Sequence, residues 1–257
     1  MTAALRFDDP RLRDDLATYF GRAGRIEDGA VRVQQLPGPR AAVALWVPVL
    51  RPAGILDRSP LVIGVRAVPA RIEDADEADL VDGLVDAVVP LRGFLDRLAR
   101  EPADADEARR IPLPPERLLE SWTGRRPPLG GWTRVAELST PQLRRIADEG
   151  IAEVAAATSG GLIGQVLAER ARTETWTRPL PDRAFASAPA GAPAPPEGAE
   201  RPERSADPDA PPAGIAFAAQ ALGFLAGDAP SALAAADGWW RLAAPAGQVL
   251  AQRRDAG

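Results

Sequence analysis

Apolar residues cluster in three short runs in the first third of the chain. The runs cover residues 30–36, 41–50 and 61–68, and short links rich in proline and glycine separate them. Runs of this length with short links predict three strands in an antiparallel meander. Before them, Asp8, Asp9 and Pro10 are typical of a helix start, and we expect Gly21 and Gly24 to end that helix.

The strongest helical period lies at residues 74–99. Its apolar residues recur every three to four positions: Leu80, Val81, Leu84, Val85, Val88, Leu91, Leu95 and Leu98. The acidic residues at its beginning suit the positive end of a helix dipole, and Pro90 predicts a kink or a break. We therefore expect a long helix at this place.

The second half of the chain predicts further helices and a hairpin. A capping-box pattern at Ser139–Gln142 starts a helical hairpin, which follows a short strand at 132–138. We expect another helix at 213–226, a short helix at 230–236 and a β-hairpin at 239–252. Together these elements predict an α+β fold, a small antiparallel sheet packed by helices.

Residues 186–212 differ in composition from the rest of the chain. They contain eight prolines and no large apolar residue, which predicts a disordered linker. The residues after it, 213–257, are too few to bury a stable core alone. We therefore expect a main body at 1–185 and a C-terminal helix and hairpin that dock back onto it.

The composition excludes several kinds of catalysis. The chain has no Cys and no His, and its sequence also contains no Lys. A Ser-His-Asp triad, an ordinary zinc site and a lysine Schiff base are therefore excluded. We expect no cofactor and no metal, and a protein that is not an enzyme. A hydrolase that uses carboxylates and arginines remains an alternative.

Charge and hydropathy restrict the partners. The net charge is −5 and the isoelectric point is about 5.0, which argues against nucleic acid because a phosphate backbone requires a basic face. No apolar run approaches the ~20 residues of a membrane span, and the N-terminus lacks a signal peptide. We expect a cytoplasmic protein with neither nucleic acid nor membrane as a partner.

Two segments allow both a functional and a structural explanation. The acidic residues between Glu73 and Asp79 could attract a divalent cation, or they could simply suit a helix dipole. The glycine-rich stretch Ser159–Gln165 could present N–H groups to a phosphate, or it could be the turn between two helices. In both segments the structural explanation is the simpler one.

Tryptophan and arginine recur together between residues 122 and 134. The candidate binding residues are Trp122, Arg125, Arg126, Trp132 and Arg134. Both residue types concentrate at binding hot spots, although each tryptophan could instead fill the core under a loop. We expect an interaction or regulatory protein whose partner is a protein. A binder of a small anionic ligand at the same loop is the alternative.

Overall fold

The computed structural model describes residues 3–52, 54, 57, 59–157, 161–186 and 210–253, and for residues 161–168 the backbone alone. The chain forms two compact units. Unit 1 contains Met1–Val49, Ile63–Arg126 and Ala221–Gly223, and unit 2 contains Leu50–Val62, Pro127–Gln220 and Phe224–Gly257. Much of the predicted linker, residues 187–209, lies outside the described residues. The division of the chain at 185 and 212 therefore stays a prediction.

Unit 1 is built from strands with two helices. Its elements are β1 (Ala4–Arg6), α1 (Arg11–Ile26), β2 (Ala30–Leu36), β3 (Ala42–Leu50), β4 (Val62–Val68), β5 (Arg71–Glu73), β6 (Leu80–Val81), β7 (Leu84–Pro90), α2 (Leu91–Leu98) and β8 (Arg110–Pro112). The strands form two sheets, with the orders β6-β7-β2-β3-β4 and β5-β1-β8. The predicted meander is confirmed, since β2, β3 and β4 match the three apolar runs.

One face of the larger sheet forms the core of unit 1. In β7, Val85, Ala87 and Val89 are buried, whereas the residues between them are only half-buried. The Tyr19 hydroxyl donates to the carbonyl oxygens of Leu45 at 3.1 Å and Gly64 at 3.3 Å. Burial raises the pKa of Tyr19 far above its usual range. The only tyrosine of the chain thus ties α1 to the sheet and has no role as a neutral-pH base.

The long helix predicted at 74–99 is wrong. Residues 80–90 form the hairpin β6–β7, and the helix α2 begins only after Pro90. The turn is Asp82-Gly83, and both residues have positive φ angles, 52° and 76°. An Asp-Gly pair with this geometry is a strong signal for a two-residue hairpin. The helical spacing of the leucines and valines concealed the alternation in β7.

Unit 2 combines a four-stranded sheet with three helices. Its elements are β9 (Thr133–Leu138), α3 (Thr140–Ala157), α4 (Gly161–Thr177), α5 (Gly214–Ala221), β10 (Ser231–Ala236), β11 (Trp239–Ala244) and β12 (Gly247–Gln252). The strand order is β12-β11-β10-β9, and each neighbouring pair is antiparallel. The hairpin β11–β12 pairs with β10, and β10 pairs with β9, the strand that precedes α3. The short helix predicted at 230–236 is wrong, because Ser231–Ala236 forms β10. The α+β fold is confirmed.

Gly150 allows α3 to approach the end of α4. A Cβ atom at this position would lie 2.5 Å from Cη2 of Trp176, and Trp176 itself stacks on Phe217 with ring centroids 4.4 Å apart. We expect Gly150→Ala to destabilise unit 2 by about 1–3 kcal/mol, because overpacking exceeds the ~1 kcal/mol that alanine gains in a helix. Hydrogen exchange of the α3 amides measures this loss.

Gly21 provides the matched control. It also lies inside a helix, but nothing lies within 4 Å of an added Cβ atom. Gly21→Ala should therefore stabilise α1 by about 0.5–1 kcal/mol. Equal effects of the two substitutions would show that the contact with Trp176 does not determine the choice of glycine at 150.

Candidate nucleic-acid interface

The two helices of unit 1 pack side by side and form one layer, here called the helix layer (residues 11–26 and 91–98). Phe20 of α1 stacks on Phe94 of α2 with ring centroids 4.9 Å apart. At the other end, Arg13 donates from Nη2 to the carbonyl oxygens of Arg97 and Arg100, both at 2.8 Å. The buried rings and the guanidinium hold the two helices together along their length.

The helix layer is positively charged. Six arginines and three aspartates give it a formal charge of +3. The arginines are Arg11, Arg13, Arg22, Arg25, Arg92 and Arg97, and the aspartates are Asp14, Asp15 and Asp96. The rest of unit 1 has eleven arginines against seventeen acidic residues. Positive charge is therefore concentrated on the helices of an otherwise acidic unit.

Several arginines of this layer bond to groups without formal charge. Arg22 donates to the Leu222 carbonyl at 3.3 Å, and Arg25 donates to the carbonyl of Gly21 at the same distance. Arg97 donates in the same way to Gly93 at 2.8 Å. A carbonyl oxygen orients a guanidinium but does not neutralise it, so these bonds leave the positive charge of the layer in place.

One acidic residue of the layer pairs within it, since Asp96 lies 3.9 Å from Arg92 on α2, and another pairs outside it. Asp15, on α1, pairs with Arg66 of β4. On the same unit, Asp79 accepts two bonds of 2.6 Å from Arg117, which raises the pKa of that arginine. The acidic segment 73–79 is thus used in ion pairs and turns, and no group of acidic residues in the described part of the chain has the arrangement of a metal site.

The residues of the predicted Trp/Arg loop fall into both units. Trp122 is 3% exposed and lies in a short 3-10 turn, Ser121–Gly124. Arg125 and Arg126 follow it and are exposed. These three residues belong to unit 1, while Trp132 and Arg134 belong to unit 2. Their role as binding residues stays a prediction.

In unit 2, Trp132 is covered by Arg241, an arginine outside the predicted Trp/Arg loop. The guanidinium carbon of Arg241 lies 4.5 Å from the centre of the Trp132 ring, and the indole Nε1 donates to the Pro128 carbonyl at 3.1 Å. Arg134 forms an exposed ion pair with Glu137. The alternation of β11 could have indicated Arg241, since Trp239, Arg241 and Ala243 share one face of that strand.

Unit 2 also contains a cavity of about 230 Å³ beside α3 and the end of α4, with Trp176 among its lining residues. Two arginines reach it, but both are compensated. Arg178 pairs with Glu153, which lowers the pKa of that glutamate, and Arg183 pairs with Glu149. This cavity therefore offers no uncompensated charge.

Within the described residues, no helix is both long and apolar enough to cross a membrane.

Two family models match the chain. The model described as Domain of unknown function (DUF8185) matches residues 127–256, and the model described as Domain of unknown function (DUF8010) matches residues 1–116. The boundary between the two matches falls close to the change from unit 1 to unit 2 at Arg126. No curated protein sequence matches the chain.

Several solved structures of DNA sliding clamps are similar to the chain. A DnaN clamp (DNA polymerase III subunit beta) from Bartonella birtlesii, bound to griselimycin, is 13% identical with a TM-score of 0.49. Pol III beta from Caulobacter crescentus is 14% identical with a TM-score of 0.45, and a DNA polymerase sliding clamp from the same organism is 15% identical with a TM-score of 0.44. Each match covers 100% of this chain and 66% of the clamp, which is less than two thirds of its length.

These matches contradict two predictions made from the sequence. The first is the interaction or regulatory protein, together with its alternatives, the anionic-ligand binder and the hydrolase. The second is the exclusion of nucleic acid in favour of a protein partner or a small anionic ligand. A net charge of −5 averages over the whole chain and does not describe the helix layer, whose formal charge is +3.

Proposed function

The chain belongs to the family described as Domain of unknown function (DUF8185), and we propose that this member binds double-stranded DNA without catalysing a reaction on it. The binding surface is the helix layer of unit 1. The observation that carries the proposal is the formal charge of +3 on that layer, with Arg11, Arg25 and Arg92 exposed, against an excess of acidic residues in the rest of the unit. Phosphates are attracted to such a surface independently of base sequence.

The aromatic residues of the helix layer favour duplex over single-stranded DNA. Proteins that bind single strands stack the bases on exposed aromatic rings. In the helix layer, Tyr19, Phe20 and Phe94 are all buried, at 1% exposure or less. The layer therefore offers guanidinium groups for the phosphates but no ring on which a base could stack.

The test is the salt dependence of binding to a fluorescent 30-base-pair duplex, measured by anisotropy. We expect the wild type to bind at 50 mM salt and to lose affinity as salt rises. Arg25→Gln with Arg92→Gln removes two exposed charges of the layer. Because each phosphate contact contributes about 0.9 to the slope of log K against log salt, the slope should fall by about 2 and binding at 50 mM should weaken at least about tenfold.

The matched control is Arg40→Gln with Arg71→Gln. It removes the same charge from exposed positions of unit 1 outside the helix layer, and it should bind nearly as the wild type does. The duplex should be recovered uncut and unmodified. Absence of wild-type binding at 50 mM salt would overturn the proposal. A loss in the control as large as that in the helix variant would show that the helix layer is not the binding surface.

A further inference from the structure

The cavity of about 230 Å³ in unit 2 lies between two walls. One wall is a single face of α3, formed by residues three and four positions apart: Ile146, Glu149, Gly150 and Glu153. The other wall is the end of α4 with the segment that follows it, residues 175–183. The cavity is therefore a slot between one helix and the chain that leaves its neighbour.

The floor of the cavity is apolar. Ile146, Trp176 and Ala213 line it and are only 6%, 3% and 7% exposed, so they lie at its depth. Pro179 and Pro181 line the same space and add two more apolar rings. An aromatic ring that packs against tryptophan gains more than its buried area alone provides. The floor therefore suits a flat, apolar group.

Two ion pairs join the walls at the mouth of the cavity. Arg178 pairs with Glu153, and Arg183 pairs with Glu149, so each pair links the segment after α4 to α3. All four side chains are about half exposed, which places them at the rim. A charged ligand would find no free partner among these paired groups and would lose its hydration against the apolar floor. The site therefore favours a neutral ligand.

The volume of the cavity sets the size of that ligand. An apolar cavity of about 150 Å³ is large enough for benzene. A cavity of about 230 Å³ therefore has room for a second fused ring. We propose that this cavity binds a neutral aromatic molecule of the size of indole, held between α3 and the segment after α4. The site lies in unit 2 and the helix layer in unit 1, so this inference does not rest on the proposed function.

The test is a titration of the full chain with indole, followed through the amide signals of Gly150 and Ala213 in nitrogen–proton correlation spectra. We expect saturable shifts of both signals in the wild type. Ala213→Leu fills the cavity and should weaken binding at least about tenfold. Ala152→Leu is the matched control, because it adds the same side chain to α3 at an exposed position outside the cavity. The control should bind indole as the wild type does.

Charged relatives of indole test whether the site selects a neutral ligand. Indole-3-acetate carries a negative charge and tryptamine a positive one, and each should bind at least about fivefold more weakly than indole. The affinity for indole should change less than about twofold between 50 mM and 500 mM salt, because binding needs no charge. Tighter binding of either charged relative would overturn the proposal.

The position of the bound ligand is measured directly in the wild type. Nuclear Overhauser effects between the indole protons and the methyl groups of Ile146 should place the ligand on the floor of the cavity. They decide the question if Ala213→Leu does not fold. Absence of saturable shifts in the wild type, or equal binding by Ala213→Leu and Ala152→Leu, would show that the cavity is not a binding site.

Discussion

Asp86→Ala is expected to destabilise unit 1 by about 3–5 kcal/mol, since it leaves a buried guanidinium without its partner. Asp86 accepts bonds of 2.6 Å and 2.5 Å from Nε and Nη2 of Arg32, and the two side chains are only 9% and 5% exposed. Arg32 also lies over the ring of Trp46, 5.7 Å from its centre. Within the described residues, no other carboxylate forms an ion pair with Arg32.

A double variant separates the lost ion pair from lost packing. Arg32→Met with Asp86→Leu removes both charges and keeps side-chain volume. The free energy of unfolding of this variant should lie within about 1–2 kcal/mol of the wild-type value or exceed it. Hydrogen exchange of the β2 and β7 amides is the suitable measurement, because two compact units need not unfold in one step. A double variant as unstable as the single one would show that the charge is not the cause.

An exposed pair of the same chemistry provides the control. Arg170 and Glu174 on α4 lie 2.7 Å apart but are 75% and 57% exposed. Glu174→Ala should therefore change stability by no more than about 0.5 kcal/mol. The contrast isolates the effect of burial, because both pairs join an arginine to a carboxylate at similar distance.

The strands of the meander and the C-terminal hairpin could be predicted from the sequence because their local signals agree with their final environment. The run at 42–50 is buried along nearly its whole length, so its apolar residues directly report the core. In the alanine-rich residues 231–236, the local signal disagrees with the final environment. Their local preference is helical, but pairing with both β9 and β11 makes them a strand, and that pairing is invisible in the local sequence.

The candidate site was harder to predict than the fold, because charge is a property of surfaces rather than of segments. Arg25 and Arg92 are 67 positions apart in the chain and join one layer only through the packing of α1 on α2. Arg241 lies alone in an apolar strand, and its missing partner becomes visible only in the structure. The clustering of tryptophan and arginine at 122–134 led to Trp132 and Arg134 but not to Arg241, whose guanidinium lies over the Trp132 ring.

Phe94→Ala is expected to destabilise unit 1 by about 3–5 kcal/mol, the usual cost of deleting a buried aromatic ring. Phe94 is 0% exposed and stacks on Phe20, which is buried to the same extent. The ring is one of the contacts that hold α2 on α1, so its loss loosens the packing of α2. The amides of α2 should exchange faster by a factor of at least about a hundred, while those of β11 in unit 2 keep their rates.

Phe94→Leu is the matched variant, since it keeps most of the apolar volume. It should lower the free energy of unfolding by about 1–2 kcal/mol. DNA binding adds a second measurement, because the arginines of α1 and α2 act together only while the helices are packed. We expect Phe94→Ala to weaken duplex binding at 50 mM salt even though it removes no charge. If α2 is released and binding is unchanged, the arginines of the helix layer do not act as one surface, and the DNA contact must lie elsewhere on the protein.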